Sequence, residues 1–315
     1  GSFAQGLGNL YFVQFVSEAG QNQLTVRIVA LDAHTGREVA NYAPSGTTSQ
    51  YSEVVFDAVN ELVYVGRAPF AYADNSTPGQ VIALDARTLA MKWTFTTPGG
   101  IDATPALNGT TLCFGDRTGV VYCLDTKQAL AAVAQNQPIP TRWTAPLDTN
   151  GSVHRVSTPL FTGDQLIATM WDLESDPGEG LSLLTTASIR LSDATNTGMI
   201  MPPTTAPKSE IDIHLVLQPP SLGQLIFPGF STPLRALFLC AATKVVAFNL
   251  DNHQQNQQIE FPLPSGSIAT CRIYDDGTRV GGALSKADRS RTGLWLGDNQ
   301  GNLWSLDNQH KPADG

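Results

Sequence analysis

The stretch VIALDARTLAMKWTF, residues 81–95, begins as a strand and breaks at ALDART. Val81, Ile82, Ala83 and Leu84 are β-formers or small residues. Asp85 and Thr88 suit a tight turn, after which Met91, Trp93 and Phe95 alternate as a second strand. The same break recurs along the chain. VRIVALDAHTG ends at Gly36, GVVYCLDTK covers 119–127, VVAFNLDN covers 245–252 and NLWSLDN covers 302–308, with a weaker copy, IRLSDATNTG, at 189–198. Six apolar strands therefore end at an aspartate: Asp32, Asp85, Asp125, Asp193, Asp251 and Asp307. Recurrence at roughly 40 to 70 residues is the mark of a propeller or solenoid.

Turn chemistry accounts for these copies. An aspartate at a strand end accepts hydrogen bonds from the backbone N–H groups just after it. A following Thr-Gly adds a second acceptor and a residue that tolerates positive φ. The six aspartates are accordingly read as turn residues, not catalytic ones.

The context upstream repeats as well. ATPALNGTTLCFGDRTGVVYCLD (103–125) places two more strands before the third, STPLFTGDQLIATMW (157–171) and STPLRALFLCAATKVVAFNLD (231–251) have the same form, and TGLWLGDNQGNLWSLD (292–307) repeats the central hairpin. Each unit reads as a short strand with Thr-Pro, an apolar strand, a turn, a second apolar strand, an Asx turn and a Trp-bearing strand. Trp93 and Trp143 are the clear fourth-strand tryptophans. Four short antiparallel strands per unit make a propeller blade.

On these motifs the chain resembles the quinoprotein-type (PQQ-like) β-propeller repeat, whose unit is an apolar A-L-D-x-x-T-G strand followed by a Trp strand. The resemblance is strong over 50–170 and 231–307 and weak over 187–230 and 259–282. It implies an all-β fold, a single β-propeller of four-stranded antiparallel blades. Six blades are expected from the six motifs, and seven remain open. The whole chain, 1–315, is then one domain with a Pro-rich insertion around 199–230. The first twenty residues are expected to complete the last blade and close the ring. The repeat is a signal of fold and a poor signal of function.

Composition agrees: 28 Gly and 20 Pro in 315 residues supply the turns, and 42% hydrophobic residues can fill a core. A net charge of −9 opposes binding to nucleic acid, which needs a basic surface. No apolar run is long enough for a transmembrane segment. No secretory signal is visible at the start, and the opening Gly-Ser leaves a removed leader open. Low charge with abundant Thr, Asn and Gln fits a periplasmic or extracellular protein. Cys113 and Cys123 flank the turn DRTG; a register pairing Asp116 with Gly119 sets Cys113 opposite Tyr122. With Cys240 and Cys271, they are expected to be free buried thiols.

The resemblance raises the question of a quinone cofactor. Quinone-dependent members are larger and carry adjacent cysteines that stack on the quinone. This chain has no adjacent pair and no matching calcium motif of Glu, Asn and Asp, so no cofactor is expected. Nor does it contain a nucleophile elbow, zinc motif, Walker loop or dinucleotide fingerprint.

Position singles out one group. In a propeller, the start of each innermost strand faces the central channel, at the end where the loops between second and third strands open. There the sequence places Gln50, Tyr51 and Glu53 in SQYSEVV, Asp102 in GGIDATP, and His154 with Arg155 in GSVHRVSTP. A histidine with carboxylates and an arginine suits acid–base work or anion binding. A channel mouth is also wet and polar whatever it does. Two long loops open on this face: GRAPFAYADNSTPGQ (66–80), with Arg67, Phe70 and Tyr72, and WDLESDPGEG (171–180), opening with Trp171. Asp172, Glu174 and Asp176 in the second loop are a weak candidate calcium site.

Two functions follow. The first is a non-catalytic recognition or scaffold propeller that binds a protein, peptide or glycan through its loop face, with Gln50, Tyr51, Arg67, Phe70, Tyr72 and Trp171 as contacts. The second is a lyase, cyclase or hydrolase acting at the channel mouth through His154, Asp102, Glu53 and Arg155.

Overall fold

The structure, a computed structural model, describes residues 3–17, 24–44, 49–69, 77–147, 154–173, 181–201, 221–225, 234–241, 244–250, 258–262, 268–274, 293–298 and 303–306. Among these residues the strands form six antiparallel sheets. Sheet I holds β1 (Ala4–Gly6), β2 (Asn9–Ser17), β3 (Leu24–Asp32) and β4 (Glu38–Tyr42). Sheet II holds β5 (Ser49–Asp57), β6 (Leu62–Pro69), β7 (Gly79–Asp85) and β8 (Met91–Thr97). Sheet III holds β9 (Ala106–Asn108), β10 (Thr111–Gly115), β11 (Val120–Asp125) and β12 (Thr141–Pro146), with helix α1 (Thr126–Ala134) before β12. In sheet IV, β13 (His154–Val156) and β14 (Leu160–Thr162) both pair with β15 (Gln165–Leu173), followed by β16 (Leu181–Arg190) and β17 (Asn196–Met201). Sheet V holds β18 (Ser221–Leu225), β19 (Leu234–Ala241), β20 (Lys244–Asn249) and β21 (Gln258–Pro262). Sheet VI holds β22 (Ile268–Tyr274), β23 (Gly293–Asp298) and β24 (Leu303–Leu306).

Sheets I to IV stack face to face. The innermost strand β5 packs against β1 and β2 on one side and β9 on the other, β14 packs on β9, and β22 packs on β18 and β19. Both faces of the middle strands are therefore buried. In β6, Val63 and Val65 enter the core shared with Tyr11 and Ile28, while Leu62 and Tyr64 enter the one shared with Leu112, Phe114 and Tyr122. That two-sided burial explains why the repeated strands read as unbroken apolar runs rather than alternating ones. Small residues let the sheets close up: a Cβ on Gly115 would collide with Val156 of the next sheet, and one on Gly66 would meet the backbone at Ile101 and Ala103.

Among the described residues the aspartate turns form as the sequence implies at Asp32 and Asp85 and differ at Asp125 and Asp193, while Asp251 and Asp307 lie outside the described residues. Asp32 accepts from the His34 and Thr35 amides at 3.0 and 2.6 Å, and Asp85 from the Arg87 and Thr88 amides at 3.0 Å each. The first exception is Asp125, which makes the same two bonds, to Lys127 and Gln128 at 2.9 and 3.0 Å, but as the N-cap of α1. TKQALAAVA lacks the Thr-Gly that stops the chain and is rich in helix formers, so the cap starts a helix. The second is Asp193. The residue equivalent to Asp32 and Asp85 is Arg190, whose amide bonds Thr195 O as Asp32 N bonds Arg37 O; Asp193 lies within the turn and accepts from Thr195 N at 3.0 Å. The left-handed position of this turn is held by Gly36 (φ 69°), Leu89 (φ 53°) and Ala194 (φ 62°).

Three further expectations are corrected. Residues 4–17 build the two inner strands of sheet I, where β2 pairs with β3, rather than completing the last sheet. The apolar strand after Thr232-Pro233 is β19, the second strand of its sheet; the first is β18, drawn from the Pro-rich stretch. Of that stretch, 199–201 belong to β17 and 221–225 to β18, while 202–220 and 226–230 lie outside the described residues. Lastly, Cys113 and Cys123 form a disulfide, with Cα atoms 4.2 Å apart. The turn between them has three residues, not two: Asp116 N bonds Val120 O at 3.0 Å, and Gly119 takes φ 78°. One extra turn residue shifts the register by one and sets Cys113 directly opposite Cys123.

Candidate functional site

Antiparallel alternation puts the starts of the innermost strands at the same end as the connections β6–β7 and β10–β11. The backbone ties these together: Ile101 N donates to Arg67 O at 3.1 Å and Arg117 N to Gly100 O at 2.9 Å. At this end, three side chains from three sheets meet on one carboxylate, that of Asp102. Arg117, at the tip of the β10–β11 turn, donates Nε to Asp102 Oδ2 at 2.9 Å and Nη2 to Oδ1 at 2.8 Å. The same Nη2 donates to Pro69 O at 2.9 Å. Arg155, in β13, brings Nε to 3.0 Å from Oδ2; the pair is ionic, since its N–H is not aimed at that oxygen. Gln50, in β5, donates Nε2 to Asp102 Oδ1.

This cluster is closed to water. The side chains of Arg117, Arg155 and Asp102 are 0, 1 and 2% exposed. The segment before β9 makes it possible: Gly99 and Gly100 lie against the Arg117–Thr118 backbone, Ala68 and Pro69, where a Cβ would collide. Asp116 fixes the Arg117 turn by accepting from Thr118 N and Oγ1 at 3.0 and 2.6 Å and from Gly99 N at 3.2 Å. The convergence of Gln50, Asp102 and Arg155 was legible from their position in the unit. Arg117 was not, although GDRTG at a second-to-third-strand turn on the same face is the signal that could have found it.

The other candidates are placed as follows. Glu53 sits half-buried at a bulge in β5, between Tyr51 and Val54, where Ser52 Oγ accepts from Gly66 N at 2.7 Å. Tyr51 is buried in the core between sheets I and II, and that burial pushes its phenol up to about 12 despite the neighbouring Arg67. Arg67 is half-buried and held by Ser49 Oγ at 3.0 Å and Gln80 Oε1 at 2.9 Å. His154 opens β13 opposite Asp172, and Trp171 lies opposite Arg155. Phe70, Tyr72, Glu174 and Asp176 lie outside the described residues. Among the described residues no three His, Cys, Asp or Glu side chains group as metal ligands.

The fold raises the question of a quinone, and the cysteine pair among the described residues does not suit it. Cys113 and Cys123 are fully buried among Val121, Ala145, Val156, Leu166 and Ala168, so they offer no open face to a planar ring.

No family model and no curated protein matches the chain. Solved structures do. BamB from Moraxella catarrhalis superposes with a TM-score of 0.53 at 14% identity, over 99% of this chain and 86% of that one. The quinohemoprotein alcohol dehydrogenase ADHIIG from Pseudomonas putida HK5 gives 0.51 at 14% identity, over 80% of this chain and 40% of that one. KlAtg21, in a complex with the coiled coil of AgAtg16, gives 0.52 at 11% identity, over 94% and 80%. The first two are PQQ-like β-propellers. At this identity the likeness establishes the fold: the chain is an all-β propeller of antiparallel blades.

Proposed function

We propose that this protein is a non-catalytic recognition propeller that binds a protein partner through the face carrying the β6–β7 and β15–β16 loops. The observation that carries the reading is the state of Asp102. A general base must be open to substrate and free to take a proton. Asp102 instead holds two buried arginines and the half-buried Gln50 around its carboxylate. Its chemistry is used to join blades, which leaves the surrounding loop face as a rigidly supported surface. A neighbour of the same fold, KlAtg21, is seen with a coiled coil, so a propeller of this size can hold a protein helix. The buried Cys113–Cys123 bond supports maturation in an oxidising compartment, periplasmic or extracellular. Among the described residues no helix is long and apolar enough to cross a membrane.

The test is site-specific photo-crosslinking in the native host. A probe at Thr77, exposed beside the loop face, should capture one protein repeatedly. A probe at Thr35, exposed in the β3–β4 turn at the opposite end, should not. Equal capture from both, or turnover of a small substrate that disappears in His154→Ala, would replace recognition with the channel-mouth lyase, cyclase or hydrolase.

A further inference from the structure

We infer that the Cys113–Cys123 disulfide selects the register of the β10–β11 hairpin and so delivers Arg117 to Asp102, making oxidation a step in assembling the loop face. The inference does not depend on what that face binds.

The argument starts from what usually fixes a register. Where one face of a strand is wet, a slip of one residue exposes the apolar set and is strongly opposed. Here that safeguard is weak. In β11, Tyr122 and Leu124 enter the core shared with Trp93 and Phe114, while Val121 and Cys123 enter the one shared with Val156 and Leu166. Both faces are buried and apolar, so a slipped strand still buries apolar side chains on both. The slipped register is also the one a two-residue turn would give, with Asp116 opposite Gly119 and Cys113 opposite Tyr122.

Besides the Asp116 bonds that hold the turn, two features oppose it. One is Gly119, whose φ of 78° suits the three-residue turn. The other is covalent: Cys113 faces Cys123 in register, and their bond excludes every other pairing of these two strands. The consequence lies four residues beyond Cys113. Arg117 is the first residue of the turn, and its fork meets Asp102 only when Asp116 pairs with Val120. A slip would rotate the tip and part the fork from the carboxylate that Arg155 and Gln50 also share.

The bond must close before the sheets pack, because both cysteines are fully buried afterwards. Thiol–disulfide exchange does this in two steps. One cysteine thiolate attacks a disulfide oxidant, forming a mixed disulfide and releasing the oxidant's first thiolate. The second cysteine thiolate then displaces the other. The chain loses two electrons and two protons, and the oxidant becomes a dithiol.

The test compares the full chain refolded oxidised and refolded with tris(2-carboxyethyl)phosphine present. Alkylation of the denatured protein without reductant should leave Cys113 and Cys123 unmodified, and after reduction should label both. Amide exchange at Thr118 and Val120 should be at least tenfold faster in the reduced protein. Arg117→Met should lower the melting midpoint of the oxidised form at least twice as much as that of the reduced form. Where the reduced chain fails to fold, the cavity-filling pair Cys113→Val/Cys123→Ala, which lacks only this bond, is compared with the oxidised chain instead. That pair should repeat the loss of coupling to Arg117. Free thiols at Cys113 and Cys123 in the protein from its native host, or a reduced form with unchanged exchange and an unchanged Arg117→Met effect, would overturn it.

Discussion

The two ends of the blades use aspartate in opposite ways. At the far end, Asp32 and Asp85 answer to their own next three residues, accepting two amides and a threonine hydroxyl each. At the loop end, Asp102 answers to residues from three sheets, separated from it by 15 to 53 positions. The far-end aspartates are partly or fully open to water, whereas Asp102 is sealed. Local bonds define a turn, and distant bonds define how blades meet.

The largest effect should come from breaking the distant set. Asp102→Ala leaves two buried guanidinium groups without their carboxylate, and losing one member of a buried ion pair costs about 3–5 kcal/mol. Chemical denaturation read by tryptophan fluorescence would measure it. A loss below about 1 kcal/mol would mean that water reaches the cluster, which would return Asp102 to the list of reactive groups.

That contrast also explains what the sequence disclosed. Asp32 and Asp85 were readable because every partner lies within the motif. Trp93 and Trp143 were placed correctly on fourth strands for the same reason, a repeated local order. The partners of Asp102 were readable only through the symmetry of the unit, which brought Gln50 and Arg155 together but placed them at a wet channel mouth, whereas the Arg117 fork closes on Asp102 and buries it. The cysteine pairing failed by a single turn residue, because two apolar faces give no sign of which register is right. Residues 4–17 were assigned to the wrong sheet since strand pairing at a chain end has no motif on its other side.

Glycines sharpen the same division. Gly115 has ordinary φ but no room, as a Cβ would strike Val156. Gly36 has open space around it but φ of 69°. Gly115→Ala should cost about 1–3 kcal/mol through overpacking between sheets III and IV. Gly36→Ala should cost about 1 kcal/mol through backbone strain alone, since Leu89 and Ala194 already show that side chains are accepted there. Melting curves of the two variants should rank them in that order. The reverse order would show that sheets III and IV have slack between them.

Asp85→Ala should cost about 1–2 kcal/mol, the usual range for losing a capping acceptor of backbone amides. Asp85→Asn should cost less, because the amide oxygen still accepts while only the half-exposed bridge to Lys92, 3.2 Å away, is lost. Loss of partner capture in Asp85→Ala at full stability would overturn the structural reading of these turns.

The smallest effect should be the response to acid, and its sign follows from the same bonds. The Thr35 hydroxyl and amide hold the Asp32 carboxyl below its ordinary value of 3.8. The Thr195 amide and hydroxyl do so for Asp193. For Asp85, burial pushes upward but is outweighed by the Thr88 amide, Lys92, the Arg87 amide and the Thr88 hydroxyl together, so the net shift is also downward. A carboxylate with a depressed folded pKa binds protons more readily when unfolded. It therefore contributes stability that is complete above 3.8 and is lost as pH falls through the folded value. Denaturation midpoints should stay level as pH falls toward 4 and drop below it, and carbon-detected titration of the side-chain carboxyls should show these three protonating late. In Asp32→Asn the part of the acid response due to that turn should vanish while neutral-pH stability barely moves, because the amide oxygen replaces the carboxylate as acceptor and the site is open to solvent. An acid response unchanged by Asn at positions 32, 85 and 193 together would show that these turns do not carry it.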